Sequence, residues 1–149
     1  MTFRLRIALT LGAIGLTCGL HAAEPAKTLY DRLGGQPAIQ AVANGLVDRI
    51  LADKRVNPWF AHAAASPQNT AAYKAKLAEF LCQSTEGPCH YSGLDMSSAH
   101  QGRAVTSQAF DAVVEDLVAV LDQLKVPAKE KGDVLALLGP LKKVIVQTK

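Results

Sequence analysis

The chain has 149 residues, 49% hydrophobic and 19% charged, with a formal net charge of +3. That is enough for one domain with a real core, and the balance argues against disorder. Aromatics are 5% of the residues, so aliphatic side chains must fill most of the interior. There is no fixed-period repeat and no low-complexity segment.

The N-terminus reads as separate from the fold. Arg4 and Arg6 precede an apolar run from Ile7 to Leu20, broken only by Thr10, Thr17 and small residues. Leu20-His21-Ala22-Ala23 then offers a small-residue cleavage site. This pattern predicts a secretory signal peptide over residues 1–22, with the folded domain at 23–149 and export, to a bacterial periplasm, as its consequence. The run is about 14 residues, short of the ~20 that span hydrocarbon, so a membrane anchor is disfavoured and no stable membrane insertion is expected after cleavage. Lipidation of Cys18 is a further alternative, opposed by Thr17 before it and by Gly15 where an aliphatic residue would be expected. Loss of Arg4 and Arg6 lowers the net charge from +3 to +1. No basic stripe remains, and no nucleic-acid partner is expected.

The rest reads as helical. Leu29, Tyr30 and Leu33 predict a short helix stopped at Gly34-Gly35, and Pro37 suits the first turn of the next. Ile39, Val42, Leu46, Arg49 and Ile50 fall at helical spacing and mark its face. Pro58-Trp59-Phe60 marks a corner. Residues 63–70, small and polar with Pro67 and Asn69, read as a loop. Tyr73, Leu77, Phe80 and Leu81 define the next apolar face, flanked by Lys74 and Lys76, and that helix ends near Cys82–Ser84.

Once Cys18 leaves, Cys82 and Cys89 remain, and an even pair in an exported chain predicts a disulfide. Cross-linking so short a loop stabilises by ~2–3 kcal/mol if unstrained. Two free thiols are the alternative. A metal site using both and His90 fits less well, because the spacing matches no zinc pattern.

A short helix carrying Met96 and His100 follows and is closed by Gly102. Thr106 is the expected N-cap of a helix that buries Phe110, Val113, Val114, Leu117, Leu121 and Leu124 and breaks at Val126-Pro127. The last helix carries Val134, Leu135, Leu138, Leu141 and Val144, kinked at Gly139-Pro140. About six helical pieces with short links imply a small all-α fold.

His100 is the candidate chemical centre. Neutral imidazole binds iron, zinc or copper, and this one follows a loop punctuated by Gly87, Pro88 and Gly93. A lone histidine near a helix end is more often a surface or capping residue. Its neighbours change that reading: a tyrosine and bulky apolar groups precede it, Phe60 sits at a corner, and an apolar helix follows. These are the parts of a haem site, with one imidazole for iron and apolar walls for the porphyrin.

Several pieces together resemble the truncated haemoglobins of the first group, over roughly residues 28–146. They are Leu29-Tyr30-Asp31-Arg32-Leu33-Gly34-Gly35, Leu51-Ala52-Asp53, Pro58-Trp59-Phe60, and Gly87-Pro88 through Tyr91-Ser92-Gly93. The most specific is Met96 with Ala99-His100-Gln101-Gly102-Arg103, followed by Thr106 and Phe110. The resemblance implies a two-over-two helical sandwich around haem b that binds dioxygen, nitric oxide or carbon monoxide and is reduced by a partner reductase. It places His100 as the proximal iron ligand, its other ring nitrogen bonded to a carbonyl one turn earlier or to a hydroxyl. Phe60 becomes the aromatic that wedges the porphyrin. Tyr73 and Leu77 become the main distal residues, with Leu46 and Val47 on the distal wall. Met96, Val105 and Phe110 line the proximal side.

The chain departs from the pattern where it bears on the gas. Many relatives carry a tyrosine at the position of Val47 and a glutamine at that of Leu77. A charge-assisted hydrogen bond from such groups is worth roughly 1.5–3 kcal/mol, about one to two decades of affinity. Their loss argues against tight oxygen binding and fast nitric-oxide dioxygenation, unless the Tyr73 hydroxyl turns inward. Lys74 and Lys76 are read as surface or propionate-pairing groups, with Lys76 also a candidate distal ligand. His62 and His90 are read as surface loop residues. The leading expectation is a gas-binding globin. A haem enzyme for nitric oxide or peroxide and a six-coordinate electron-transfer protein are the alternatives.

Overall fold

The computed structural model describes residues 26–147, so the expected signal peptide lies outside the described residues. Helix α1 (Leu29–Leu33) is capped by the Thr28 hydroxyl, which accepts from Asp31 N. It stops at Gly34, whose φ of 108° is open to glycine and closed to most side chains. Helix α2 (Gly35–Ala52) starts there at once. A 3₁₀ turn (Asn57–Phe60) and the short α3 (Ala61–Ala64) form the expected corner. Helix α4 runs over Pro67–Ser84, α5 over Met96–His100 and α6 over Ser107–Gln123. Helices α7 (Ala128–Ala136) and α8 (Leu138–Ile145) complete the chain. No strand occurs among the described residues.

Two helix pairs carry the structure. Helix α2 packs along α4, α6 packs along α8, and α2 also crosses α6. Gly45 lets that crossing close up, since a Cβ there would meet Val120 Cγ1 at 3.0 Å. Ile39, Val42, Leu46 and Ile50 of α2 enter the core as their spacing predicts, together with Leu117 and Leu121 of α6. Arg49 is a correction: it faces solvent and reaches Gln123, because a guanidinium without a partner is too costly to bury.

The other corrections concern boundaries. Residues 63–70 are largely helical. Pro67 occupies the first turn of α4, where a missing N–H is harmless, and Ser66 caps the helix by accepting from Asn69 N at 3.1 Å. Helix α6 starts at the Thr106 cap as expected, but it ends before Leu124, which is 42% exposed. The turn is made at Lys125, with φ of 56°, ahead of Pro127. The expected last helix is two helices. The break falls at Leu137, and Pro140 sits in the first turn of α8, where its ring opposes no helical hydrogen bond. Val144, placed on the buried face by its spacing, is 45% exposed.

The segment between α4 and α5 is tied down along its length. Cys82 and Cys89 form a disulfide with Cα atoms 5.7 Å apart. Tyr91 sets its ring edge-on to Phe80 at 5.4 Å, and its N–H donates to Gln83 Oε1 at 2.8 Å. Ser92 meets both Glu79 and Lys76. Tyr30 N donates to Thr85 O at 2.8 Å, which joins α1 to the same region.

Candidate functional site

Between the helix pairs lies a cavity of about 390 Å³. Its walls are mostly carbon. Leu46 and Ile50 come from α2, Trp59 and Phe60 from the 3₁₀ turn, and Tyr73, Leu77 and Phe80 from α4. Met96 and His100 come from α5, Val105 from the turn after it, Phe110, Val113, Val114 and Leu117 from α6, and Leu138, Leu141 and Ile145 from α8. The helical period produces this directly: each helix turns one apolar stripe inward, and the cavity lies between the stripe of α4 and those of α6 and α8.

His100 stands on the α5 wall, half-buried. Its Nδ1 lies 2.8 Å from the Met96 carbonyl one turn earlier. A carbonyl can only accept, so Nδ1 carries the proton and Nε2 keeps its lone pair. A hydrogen bond of this kind fixes the ring's orientation and tautomer, as metal-ligating histidines require. The turn below is held in place by Trp59, whose Nε1–H donates to Arg103 O at 3.0 Å.

The opposite wall belongs to α4. The Tyr73 ring meets Phe60 edge-on at 5.7 Å. Burial pushes its phenol up to about 12, with Tyr91 adding to the shift and Arg103 opposing it. The phenol is therefore a neutral donor at any ordinary pH. Lys76 reaches the cavity edge, but its ammonium is engaged by Glu79 at 2.8 Å and Ser92 at 2.6 Å. The same lysine holds the Glu79 carboxyl below its usual range, aided by Ser92. Lys74 turns away to Asp48 at 2.6 Å. Arg103 and His62 sit exposed at the rim, with no acidic partner within salt-bridge distance among the described residues.

Nine of the ten residues expected around a cofactor line this cavity: Leu46, Phe60, Tyr73, Lys76, Leu77, Met96, His100, Val105 and Phe110. Val47 is the exception. It is fully buried and does not line the cavity; the α2 wall is made by Leu46 and Ile50, four residues apart on one face. His62 is also a correction, since it belongs to α3 and borders the cavity. Sequence reasoning missed as walls Ile50, the α6 stripe beyond Phe110 and the α8 stripe, although their periodicity was visible. Trp59, Tyr91 and Arg103 stand in the motifs that carry the resemblance, but their place at the cavity was not expected.

No group of three or more His, Cys, Asp or Glu among the described residues could hold a metal by itself. A single imidazole with a free Nε2, on the wall of a mostly apolar cavity, suits a metal whose other positions are filled by a macrocycle. Haem meets that description, and its acidic edge would find Arg103 and His62 at the rim.

Comparison with known proteins agrees with this geometry. A family model described as bacterial-like globin matches residues 28–147. The group 1 truncated hemoglobin GlbN of Mycolicibacterium paratuberculosis is 34% identical over 119 residues, covering 80% of this chain and 83% of its own. The group 1 truncated hemoglobin of Tetrahymena pyriformis is 32% identical over 123 residues, covering 83% and 92%. The crystal structure of the truncated hemoglobin from Tetrahymena pyriformis in its Fe(III) form superposes with a TM-score of 0.71 at 28% identity, over 80% of this chain and 98% of that one. The 2/2 hemoglobin from Synechococcus, in the cyanomet state with covalently attached heme, gives 0.72 at 27% identity with the same coverage.

Proposed function

This chain belongs to the bacterial-like globin family, and we infer that it is a haem-binding globin that takes up dioxygen and other diatomic gases. Haem supplies an iron with one position open to a gas. The chain supplies the rest. His100 offers Nε2 to the metal, with its tautomer set by the Met96 carbonyl. Met96, Val105 and Phe110, which line the cavity, would flank the proximal side, and Leu46, Phe60, Tyr73 and Leu77, which also line it, the distal side. The apolar walls exclude water, which protects a reduced iron from oxidation.

The observation that carries the reading is His100 itself: one oriented imidazole, its Nδ1 occupied, on the wall of an apolar cavity. Titration with hemin tests it. The protein is expected to form a one-to-one complex with a discrete Soret band. His100→Gly should lose roughly 10- to 100-fold or more in hemin retention and recover the band when imidazole is added. A wild-type protein that forms no discrete complex sinks the reading.

Nitric oxide and carbon monoxide belong to the same ligand class, and a reductase is expected as partner. The enzymatic and electron-transfer alternatives have no observation in their favour. Lys76, the candidate sixth ligand, would have to leave Glu79 and Ser92 and lose a proton to reach the metal.

Export completes the proposal. It rests on Arg4, Arg6 and the apolar run to Leu20, and the Cys82–Cys89 pair suits an oxidising compartment. N-terminal sequencing of the protein from a periplasmic fraction is expected to find the chain starting near residue 23. A chain recovered from the cytoplasm with residues 1–22 intact contradicts export.

A further inference from the structure

The segment between α4 and α5 joins two walls of the cavity. Residues 87–95 form no helix or strand. They supply Tyr91 to the cavity and lead into α5, which carries Met96 and His100. Tyr91 rests edge-on against Phe80, another wall residue, at 5.4 Å. The polar ties from this segment to α4 lie where water competes. Tyr91 N–H donates to Gln83 Oε1 at 2.8 Å, Lys76 Nζ donates to Ser92 Oγ at 2.6 Å, and Ser92 Oγ donates to Glu79 Oε2 at 3.1 Å. Exposed bonds of this kind contribute little net stability. The Cys82–Cys89 disulfide differs from them: it is covalent, and it fixes the start of the segment to the last turn of α4. Its two sulfurs are unequal. Cys82 is fully buried, whereas Cys89 is half-buried between the exposed Pro88 and His90. A thiolate from outside can therefore reach Cys89 Sγ and not Cys82 Sγ.

We propose that the Cys82–Cys89 pair is a redox switch on haem retention, opened by an external dithiol that attacks Cys89. The reagent's thiolate bonds to Cys89 Sγ, the Cys82–Cys89 bond breaks, and Cys82 leaves with the electron pair and takes up a proton. The reagent's second thiol then attacks the reagent sulfur of the mixed disulfide and releases Cys89, which takes up the other proton. The protein pair gains two electrons and two protons, and the dithiol loses them and becomes a disulfide. In the reduced state the segment regains the freedom that the closed loop denied it. Tyr91 is then held at the cavity only by its ring contact and exposed bonds. Haem must order the segment as it binds, and its affinity falls by that cost. Linkage requires the converse: bound haem favours the disulfide by the same factor. The switch rests on the haem-binding reading and adds a condition to it, since the oxidised chain holds haem more tightly than the reduced one.

The test follows hemin transfer from the loaded wild-type protein to excess apomyoglobin, with and without dithiothreitol. Alkylation and mass spectrometry establish the state of Cys82 and Cys89. Hemin is expected to leave the reduced protein roughly 10-fold faster, less than the full effect of opening such a loop in an unfolded chain. Reoxidation should restore the slow rate. The double variant Cys82→Ala/Cys89→Ala should lose hemin at the reduced rate in both buffers, which separates the pair from any action of dithiothreitol on the iron. Equal rates from oxidised and reduced wild type overturn the switch and leave haem binding intact. A pair that dithiothreitol reduces only when the chain unfolds overturns it too. A second measurement needs no variant. In a glutathione redox buffer, hemin should shift the Cys82–Cys89 equilibrium toward the disulfide by the same factor, and an unmoved equilibrium overturns the switch even if the double variant does not fold. If no Soret complex forms in either redox state, the haem reading fails instead.

Discussion

Asp116 is a residue where the fold accepts an electrostatic penalty. It lies buried on α6, and its Oδ2 has no hydrogen-bond partner among the described residues. Burial, and next the charge of Asp53, raise its carboxyl above the ordinary range. The fold therefore prefers the protonated form. Stability from this group is present at low pH and is lost as pH rises from the unfolded value of ~4 through the folded one. Asp53 runs the other way: Arg55 holds it low by hydrogen bonds, so its contribution exists at neutral pH and is lost on acidification. Asp116→Asn is expected to stabilise the protein by about 1 kcal/mol at neutral pH. The gain should vanish near pH 4 in urea unfolding, and an equal gain at both pH values rules the charge out as the cause. None of this was legible in the sequence, where Asp116 is one acid on an amphipathic helix. His100 was legible because its local motif is specific. Val47 was misplaced because the resemblance carried it over by position, whereas the phase of α2 turns Leu46 and Ile50 to the cavity and Val47 into the core.

At the scale of elements, the chain's punctuation decided what could be read. Gly34 stops α1 by conformation, and Thr106 caps α6 by hydrogen bonding, so both boundaries were legible. Pro67 and Pro140 were harder, because proline ends a helix from within but opens one in its first turn, and the sequence does not say which side of it the helix lies on. Gly87 shows the packing that local reading misses. A Cβ there would lie 2.5 Å from the Tyr30 ring, 2.7 Å from Cys82 Sγ and 2.8 Å from the Cys82 carbonyl oxygen. Two of these partners cannot move, one being backbone and the other cross-linked. Gly87→Ala should therefore cost ~1–3 kcal/mol, seen as a lower denaturation midpoint with an unchanged m-value. Breaking the neighbouring disulfide with Cys89→Ser should cost about 2–3 kcal/mol, mostly by freeing the unfolded chain. Cys89 is the better site because it is half-buried, whereas a serine at the fully buried Cys82 would strand a hydroxyl. A Cys89→Ser protein as stable as wild type under oxidising conditions would mean that the cross-link adds nothing.

The whole molecule is a rigid frame around a space, and the frame is unevenly built. The all-α class was legible because aliphatic residues recur at helical period along the chain; the cavity was not, because a stripe facing a cofactor and a stripe facing a neighbour read alike. Helices α2, α4 and α6 bury most of the core and hold one another. Helix α5 has five residues and none of them is buried. So short a helix is marginal in water by itself. It is held by contact with α8, by the Trp59 bond to Arg103 O, and by Gln147, which donates to Val105 O at 3.0 Å and accepts from Ala104 N at 3.1 Å. The proposed metal ligand thus sits on a short helix with no buried residue. Binding at His100 must add order there, and a ligand held only by the folded state adds ~2.7 kcal/mol of stability at 100 times its dissociation constant. Hydrogen exchange of the hemin-free and hemin-loaded proteins measures where that order appears. In the hemin-free protein, amides from Ser98 to Arg103 are expected to exchange much faster than those of α2, α4 and α6. Hemin should slow the α5 segment most, with α8 following because it packs on α5. A uniform slowing over all helices would mean that α5 is already as stable as the frame, and that His100 is fully positioned before haem arrives.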